Sequence, residues 1–364
     1  MNNKAIEKIK LEHFKCYSDQ EFEFAQLTMF CGANSVGKSS AIQALLVLIQ
    51  SKFSSKVSFN GSLISLGQYN TDVLNHDSSD DVSLELLIKG NTYKWSYDEA
   101  LEVLLTEKNV DETSIEGVLS SFQYIQAERL GPEDNYKNRE EIYHNRWLGK
   151  KGEFTSEVIT DLDGDKLKYR RLDKEDPRLH HANQSLRIAD QIKAWMQQIS
   201  PNIKVDTKTH QDANISLTLY SPRDSNHKVK AKNVGFGMSY ALGVVSALLI
   251  TPPGGVVIIE NPEAHLHPGA QSYMGRLIAL TSLAGVQVIL ETHSDHLING
   301  VRVISRLQDE YNDGDFCVYF IDRDDEDNTQ AKRLDIGSRG DLHDWPAGFF
   351  DQQAEDMRLS LIHI

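Results

Sequence analysis

The chain has 364 residues and a formal net charge of −15. This acidic balance excludes a protein that coats nucleic acid through its overall charge, so any contact with DNA or RNA would need a local basic face. No apolar run reaches the roughly 18 residues that a membrane-spanning helix requires, and the N-terminus lacks the apolar core of a signal peptide. The three cysteines cannot form a disulfide framework. We therefore expect a cytoplasmic protein without membrane contact.

Two stretches could supply a basic face for DNA or RNA. One is "KYRRLDK" at 168–174, and the other is "HKVKAK" at 227–232. Both contain or adjoin acidic residues, which favours a solvated surface of mixed charge over a nucleic-acid site.

The first third of the chain predicts short strands around one helix. Apolar residues in 6–30 indicate two strands and then a buried strand that runs into a glycine-rich turn. The following elements are, in chain order, a helix at 39–50, short strands in 57–97 with turns at Asn60-Gly61 and Gly90-Asn91, a helix at 98–121, and a strand in "FQYIQAERLGPEDN".

The rest of the chain predicts alternating helices and buried strands after a polar segment. Residues 133–185 are rich in charge and have few apolar repeats, which predicts an insertion or lid. The later elements are, in chain order, a helix at 186–199, a strand at 214–222, a helix at 234–250, a strand and turn at 255–263, a helix at 269–284, a strand and turn at 286–296, and a last core strand at 316–323. No heptad run is long enough for a coiled-coil arm.

The glycine-rich turn has the spacing of a phosphate-binding loop, Gly32-x-x-x-x-Gly37-Lys38-Ser39. Glycines allow backbone N–H groups to surround phosphate, and the helix that follows adds a positive dipole end. Lys38 is placed to reach the β- and γ-phosphates of ATP, and Ser39 offers a hydroxyl to Mg²⁺. Polar contacts to phosphate are also expected from Asn34, Ser35 and Ser40.

Two buried strands each deliver polar residues to the same expected sheet edge. The strand in "VVIIENPE" ends on Glu260. There a ligand of Mg²⁺ could meet a phosphate held at the end of the strand that runs into the glycine-rich turn. "VQVILETHSDH" delivers Thr292 and His293, and a histidine there could contact a γ-phosphate or hold the attacking water. The alternative for His293 is a loop histidine with a structural role.

A second glycine-rich segment, "NVGFGMSYAL" at 233–242, opens directly into a helix. Such an N-terminus binds an anion well. A second phosphate site within one subunit would be unusual, whereas a site that reaches the nucleotide of a partner subunit would make sense.

The order of these motifs resembles the ATP-binding-cassette head of the SMC, Rad50 and RecF class. The chain is more similar still to bacterial AAA-type ATPases of anti-phage systems, including the ATPase half of overcoming-lysogenization-defect proteins. Further stretches carry this resemblance, and the last of them resembles the DUF3696 subgroup: "LGQYNTDVL", "YIQAERLGP", "ENPEAHLHP" and "DLHDWPAGFFDQ".

The resemblance implies an α/β P-loop NTPase with an ABC-like head, an N-terminal β-rich lobe and a helical or irregular insertion. It implies one head over 1–364, made of a phosphate-loop lobe (1–132), the insertion or lid (133–185), and a lobe that carries the signature, the acidic strand and the switch histidine (186–364). Cofactors would be ATP and Mg²⁺, bound in a homodimer or higher homo-oligomer. The implied roles are Mg²⁺ binding by Ser39, Glu260 and Gln126, a switch histidine at His293, and a signature presented across the dimer by Gly235, Gly237 and Ser239.

One position departs from the pattern of that class. The acid that usually polarises water follows the metal-binding acid, but Asn261 stands there, and an amide cannot accept a proton near neutral pH. Glu263 lies two residues further and is the candidate base if Pro262 turns it inward. We therefore predict ATP binding with slow hydrolysis.

A zinc site is a further alternative, because "HLH" and "HSDH" offer plausible ligands beside Glu263. The other interpretation is that His265 and His267 shape the turn beside the nucleotide.

Three functions fit the sequence. The leading hypothesis is a dimeric ATPase that senses a target and regulates a separately encoded effector, a nuclease or toxin, in bacterial defence. The second is a metal-dependent nuclease that uses Asp322, Asp324 and Asp325. The third is a RecF-like clamp in DNA repair.

Overall fold

The computed structural model describes residues 4–75, 80–108, 110–139, 143–164, 171–201, 203–225, 227–324, 328–342 and 357–358. The strands are, in chain order, β1 (Ile6–Phe14), β2 (Tyr17–Glu23), β3 (Leu27–Gly32), β4 (Lys56–Val57), β5 (Ser83–Ile88), β6 (Asn91–Asp98), β7 (Val103–Leu105), β8 (Gln123–Ile125), β9 (Tyr136–Lys137), β10 (Ile203–His210), β11 (Ile215–Pro222), β12 (Val229–Lys230), β13 (Val256–Glu260), β14 (Gln287–Glu291), β15 (Phe316–Arg323) and β16 (Thr329–Asp335). The helices are α1 (Lys38–Gln50), α2 (Glu112–Leu119), α3 (Thr155–Asp163), α4 (Ile188–Ile199), α5 (Phe236–Ile250), α6 (Pro268–Leu283) and α7 (Asp295–Leu307).

The central sheet has the strand order β16-β15-β3-β14-β13-β8. Its strands are parallel except for β16, which pairs with β15 in the antiparallel sense. β13 and β14 are almost continuously apolar and buried, as expected for parallel strands that are covered on both faces. This sheet therefore presents the carboxyl ends of β3, β14 and β13 side by side.

An antiparallel sheet of six strands, β2-β1-β5-β6-β7-β4, forms the N-terminal β-rich lobe. Its buried side chains pack with α1 in one hydrophobic cluster. β5 and β6 are joined at Lys89 and Gly90, which both have positive φ angles, of 46° and 75°. The turn that we predicted at Gly90-Asn91 therefore forms one residue earlier.

The segment 133–185 contributes to the main core. Within it, α3 places Val158, Ile159 and Leu162 in the same hydrophobic cluster as α4, α5 and α6. β9 also pairs with β11 in the small sheet that contains β10 and β12. The division of the chain into three lobes at 132 and 185 remains a prediction.

The main error in the predicted elements concerns residues 98–121. Among the described residues of this range, the helix is limited to α2, whereas β7 pairs with β6 and β4. The apolar spacing of 101–105 suits either structure, and pairing with neighbouring strands decided the outcome. β15 is largely buried, as predicted for the last core strand, and β16 adds a more exposed strand at the sheet edge. Within the described ranges, no helix is both long and apolar enough to cross a membrane.

Candidate nucleotide site

The candidate site lies where β3, β14 and β13 end. In the parallel register, Glu291 lies opposite Phe30 of β3, and Glu260 lies opposite Glu291. β14 therefore separates the acidic end of β13 from the strand that carries the glycine-rich loop. This order decides which acid lies nearer the loop.

The glycine-rich loop joins β3 to α1 through two glycines that no larger residue could replace. Gly32 has a φ of 140° and Gly37 a φ of 114°. A Cβ at Gly32 would lie 2.0 Å from the backbone oxygen of Ile321, and one at Gly37 would lie 2.5 Å from the sulfur of Cys16. The loop is thus fixed by close packing against backbone at Gly32 and against side chains at Gly37, as well as by its φ angles.

Lys38 begins α1 and is only 3% exposed. Its Nζ donates to the backbone oxygens of Gly32, at 3.1 Å, and Ala33. Burial lowers the pKa of Lys38, while the nearby Glu291 carboxylate opposes that shift. The ammonium is therefore held at the loop by carbonyl groups that an anionic phosphate could replace.

The glycine-rich loop and the end of β14 enclose a cleft of about 520 Å³. Six of the residues predicted to bind phosphate or metal, together with His293, lie in its wall. The full wall consists of Lys15, Cys16, Asn34, Ser35, Gly37, Lys38, Ser39, Ser40, Gln43, Asn261, Glu291 and His293. The helix α1 starts at this wall without an acidic residue in its first turn, so its positive dipole end suits an anion.

Glu291 is a site residue that the sequence reasoning missed. Ser39 Oγ donates to Glu291 Oε2 across 2.8 Å, and Glu291 is 6% exposed. The signal was present in "ETHS", since Glu291 ends an apolar strand just as Glu260 does. Lys15 was missed too; it lies in the β1–β2 turn with a φ of 55°, and its Nζ donates to Gln43 Oε1 at 2.6 Å.

Glu260 has its own partners on the side of β8. Its Oε1 accepts from the hydroxyl of Tyr124 and its Oε2 from the backbone N–H of Ala127, both at 2.9 Å. Burial raises the pKa of Glu260, partly offset by these two hydrogen bonds. Glu260 is not part of the cleft wall.

Arg129 fixes the turn that follows β13. Its Nη2 donates to the backbone oxygens of Glu260 and Asn261, the latter at 3.0 Å. Burial lowers the pKa of Arg129 to about 10. Asn261 adopts a left-handed φ of 46° and lies in the cleft wall. Asn261 therefore lies beside the glycine-rich loop, at a position where a general base could act on a water molecule near the nucleotide.

Glu263 and Gln126 lie outside the cleft wall. Glu263 Oε1 accepts from the backbone N–H of His293 at 2.7 Å. Gln126 instead contacts the protein backbone, with its side chain donating to Glu128 and its N–H to Lys150. A role for Glu263 as base or for Gln126 as metal ligand stays a prediction that requires these contacts to change.

The glycine-rich signature begins α5 but does not line the cleft of its own subunit. Gly235 and Phe236 are exposed, and Ser239 lies half-buried in the first helical turn. A Cβ at Gly237 would lie 2.5 Å from the carbonyl oxygen of His265, so this glycine allows α5 to approach the turn after β13. His265 also packs on the ring of Tyr240, with 4.9 Å between centroids.

The remaining candidates do not assemble into a further metal site. In the part of the chain that the structure describes, no three His, Cys, Asp or Glu residues are grouped so that they could hold a metal ion. Asp322 is exposed, Asp324 bonds to Asn328, and Asp325 lies outside the described residues. The lysines of "HKVKAK" pair with Asp134 and Asp206, and much of "KYRRLDK" lies outside the described residues.

A family model described as "AAA domain, putative AbiEii toxin, Type IV TA system" matches residues 27–299, well over half of the chain. The chain belongs to this AAA family. A second model, described as "Protein of unknown function (DUF3696)", matches residues 312–359. No curated protein matched the sequence. The AAA match covers the glycine-rich loop, the signature, Glu260 and His293.

Solved SMC heads have the same fold as this AAA family member. An Smc head bound to the C-winged helix domain of ScpA is 12% identical, with a TM-score of 0.58 over 92% of this chain and 98% of that chain. A Pyrococcus furiosus Smc head with an extended coiled coil, bound to the C-terminal domain of ScpA, is 11% identical, with a TM-score of 0.54 over 98% of this chain and 99% of that chain. The predicted P-loop ATPase fold with an SMC-like head is therefore confirmed.

Proposed function

We propose that this chain binds ATP with Mg²⁺ and that two copies close around the nucleotide as an ATPase. The observation that carries the proposal is the cleft itself, in which the glycine-rich loop faces Glu291 and His293 while the signature lies elsewhere. A nucleotide bound there would touch the loop of one subunit and leave its γ-phosphate open to another surface.

The residues of the cleft have distinct tasks in this proposal. The loop backbone and Lys38 bind the phosphates, and the Ser39 hydroxyl with a nearby carboxylate would hold the metal. Mg²⁺, when bound, neutralises phosphate charge and orients the terminal phosphate. His293 would contact the γ-phosphate or a water molecule, since its side chain lines the cleft with 38% exposure.

The dimer is proposed because the signature is built to face outward. A Cβ placed on Gly235 would have no atom within 4 Å, and Phe236 is 54% exposed. The exposed N–H groups at the start of α5 would suit the γ-phosphate of a nucleotide held by a second copy. Each active site would then contain residues from both subunits.

Hydrolysis is proposed to be slow, because the amide of Asn261 lies in the cleft where the related ATPases use an acid. A dimer that hydrolyses ATP slowly stays closed around the nucleotide for a long time. This behaviour suits a molecular switch that responds to bound nucleotide or to a target. We propose that this switch regulates a separately encoded effector, a nuclease or toxin, in bacterial anti-phage defence. The toxin–antitoxin description of the family supports that direction.

The test is the oligomeric state with and without nucleotide. Light scattering coupled to size-exclusion chromatography should show a shift to dimer with ATP and Mg²⁺ for the wild type, and no shift for Lys38→Ala. A monomer under both conditions contradicts the proposed closure.

For the effector, tagged protein should capture a nuclease or toxin from its native cells, and purified protein alone should not cut DNA or RNA.

A further inference from the structure

Arg129 lies between two parts of the subunit that would serve different nucleotides in the proposed dimer. It is only 5% exposed and follows β8, the strand next to β13. On one side, its Nη2 donates to the backbone oxygens of Glu260 and Asn261. On the other side, its Cζ lies 5.6 Å from the ring centroid of Tyr240 in α5, within the range of a cation–π contact. Arg129 therefore contacts both the turn beside the cleft and the helix that carries the signature.

The guanidinium of Arg129 has buried N–H groups that no acceptor fills. Its Nε and Nη1 have no hydrogen-bond partner among the described residues, and the same holds for Glu263 Oε2. The negative charge of Glu263 opposes the effect of burial on the pKa of Arg129 more strongly than any other group does, so the two opposite charges lie close together. Buried polar groups without partners are costly. A small movement that joins Arg129 to Glu263 would recover part of that cost, and this gives the arginine a second arrangement.

The start of α5 is packed closely enough to follow such a movement. A Cβ at Gly237 would lie 2.5 Å from the carbonyl oxygen of His265, and a Cβ at Gly131 would lie 2.9 Å from the ring of Phe236. Closely packed interiors transmit small displacements instead of absorbing them. The first turn of α5 is therefore coupled to the turn after β13 and to the segment that carries Arg129.

We infer that Arg129 is a positioning residue that couples nucleotide binding in the cleft to the position of the signature helix α5. Asn261 lies in the cleft wall, so a nucleotide that shifts this turn also shifts the two carbonyl groups that Arg129 holds. Arg129 passes the shift to Tyr240, and α5 passes it to its exposed start at Gly235. This inference rests on the proposed function, because the signature would act on a nucleotide held by a second copy.

The test separates nucleotide affinity from dimerisation. A fluorescent ATP analogue, titrated at protein concentrations where the chain is monomeric, measures binding to the cleft, and light scattering with ATP and Mg²⁺ measures dimerisation. Arg129 is not part of the cleft wall, so Arg129→Leu should bind the analogue within about twofold of the wild type. Its dimerisation should be weaker by about tenfold. Arg129→Lys should dimerise with intermediate strength, because it keeps a cation beside Tyr240.

A matched control is available on α6. Arg276 also lies over a tyrosine ring, with 4.8 Å from its Cζ to the ring centroid of Tyr273. Arg276→Leu should therefore remove the same kind of contact and leave both analogue affinity and dimerisation within about twofold of the wild type.

Arg129 and Tyr240 should also act as one unit. Tyr240→Leu should weaken dimerisation about as much as Arg129→Leu does, and the double variant should be no weaker than either single variant. Tyr240→Phe, which keeps the ring, should dimerise like the wild type.

The outcomes distinguish this inference from the proposed function. Wild-type dimerisation of Arg129→Leu would overturn the coupling, and so would losses that simply add in the double variant. Equal losses of analogue affinity and dimerisation in Arg129→Leu, with a lower melting temperature and no recovery in Arg129→Lys, would make the arginine a purely structural residue. Failure of the wild type itself to bind the analogue, or to dimerise with ATP, would contradict the proposed function instead.

Discussion

The carboxylate of Glu263 accepts a hydrogen bond from the backbone N–H of His293 across 2.7 Å. This bond joins the turn after β13 to the loop after β14, so the two strand ends that carry Glu260 and Glu291 are linked a second time beyond the sheet. Glu263 is 9% exposed, and its other oxygen is buried without a hydrogen-bond partner among the described residues. Glu263 thereby sets the position of His293.

Substitutions at Glu263 should separate positioning from proton transfer. Glu263→Gln keeps an oxygen that can accept the bond from His293, so its ATPase rate should stay within about threefold of the wild type. Glu263→Ala removes the acceptor and leaves the N–H of His293 without this hydrogen bond, so its rate should fall by about tenfold or more. Steady-state phosphate release measures both. Equal losses in the two variants, with unchanged thermal stability, would instead make Glu263 the base.

Lys38→Met should lower nucleotide affinity without lowering the stability of the empty protein. The ammonium is buried with only carbonyl partners, and its pKa is lowered by that burial, so a neutral side chain of similar length relieves a desolvation cost. Affinity for a fluorescent ATP analogue should fall by about tenfold to a hundredfold. Lys56→Met, at an exposed position of β4, is the control. A large drop in melting temperature for Lys38→Met would show that the lysine is structural.

The two signature glycines should respond differently to alanine. Gly237→Ala would place a Cβ against the carbonyl of His265, and backbone cannot move aside cheaply, so the protein should lose about 1–3 kcal/mol of stability. Gly235→Ala meets open space and has an ordinary φ of −60°, so the subunit should stay as stable as the wild type and still lose ATP-dependent dimerisation. Chemical denaturation and light scattering measure the two effects. Normal dimerisation of Gly235→Ala would argue against a phosphate at that position.

The stability of the β-rich lobe should depend on pH through Glu12. Hydrogen bonds from Lys10, Lys94 and Ser83 lower the pKa of Glu12 from 4.5 to about 2. Because the folded pKa is the lower one, this stabilisation is complete above pH 4.5 and is lost as the pH falls toward 2. Glu12 is partly solvated, so the contribution is about 1 kcal/mol. Urea unfolding of the wild type and Glu12→Gln should therefore differ at pH 7 and converge gradually as the pH falls from 4.5 toward 2, whereas a constant difference would contradict the account.

Local patterns predicted much of this fold. The apolar runs of β3, β13 and β14, each followed by turn residues, were sufficient to place three strand ends and the phosphate-binding loop. The residues of 98–121 were misjudged because their apolar spacing does not distinguish a helix from a short strand, and the pairing of β7 with β4 is a long-range contact.

The site was harder to predict than the fold, for the same reason. Glu260 and Glu291 end similar strands, and only the strand order shows that Glu291 is adjacent to β3. Lys15 and Gln43 belong to none of the predicted motifs, and they reach the cleft through the β1–β2 turn and α1. Residue type and spacing therefore identified the chemistry, while the partner of each acid required the three-dimensional register.

The most direct test of the central claim is complementation between two inactive variants. Lys38→Ala removes phosphate binding, and Gly235→Asp puts a negative charge where the partner's γ-phosphate would lie. Each alone should be inactive. Mixed at equal concentration, they should recover a substantial part of the activity, up to about half of the wild-type ATPase rate, since each mixed dimer has one intact site of two. A mixture no more active than the two variants measured separately would contradict a site shared between subunits.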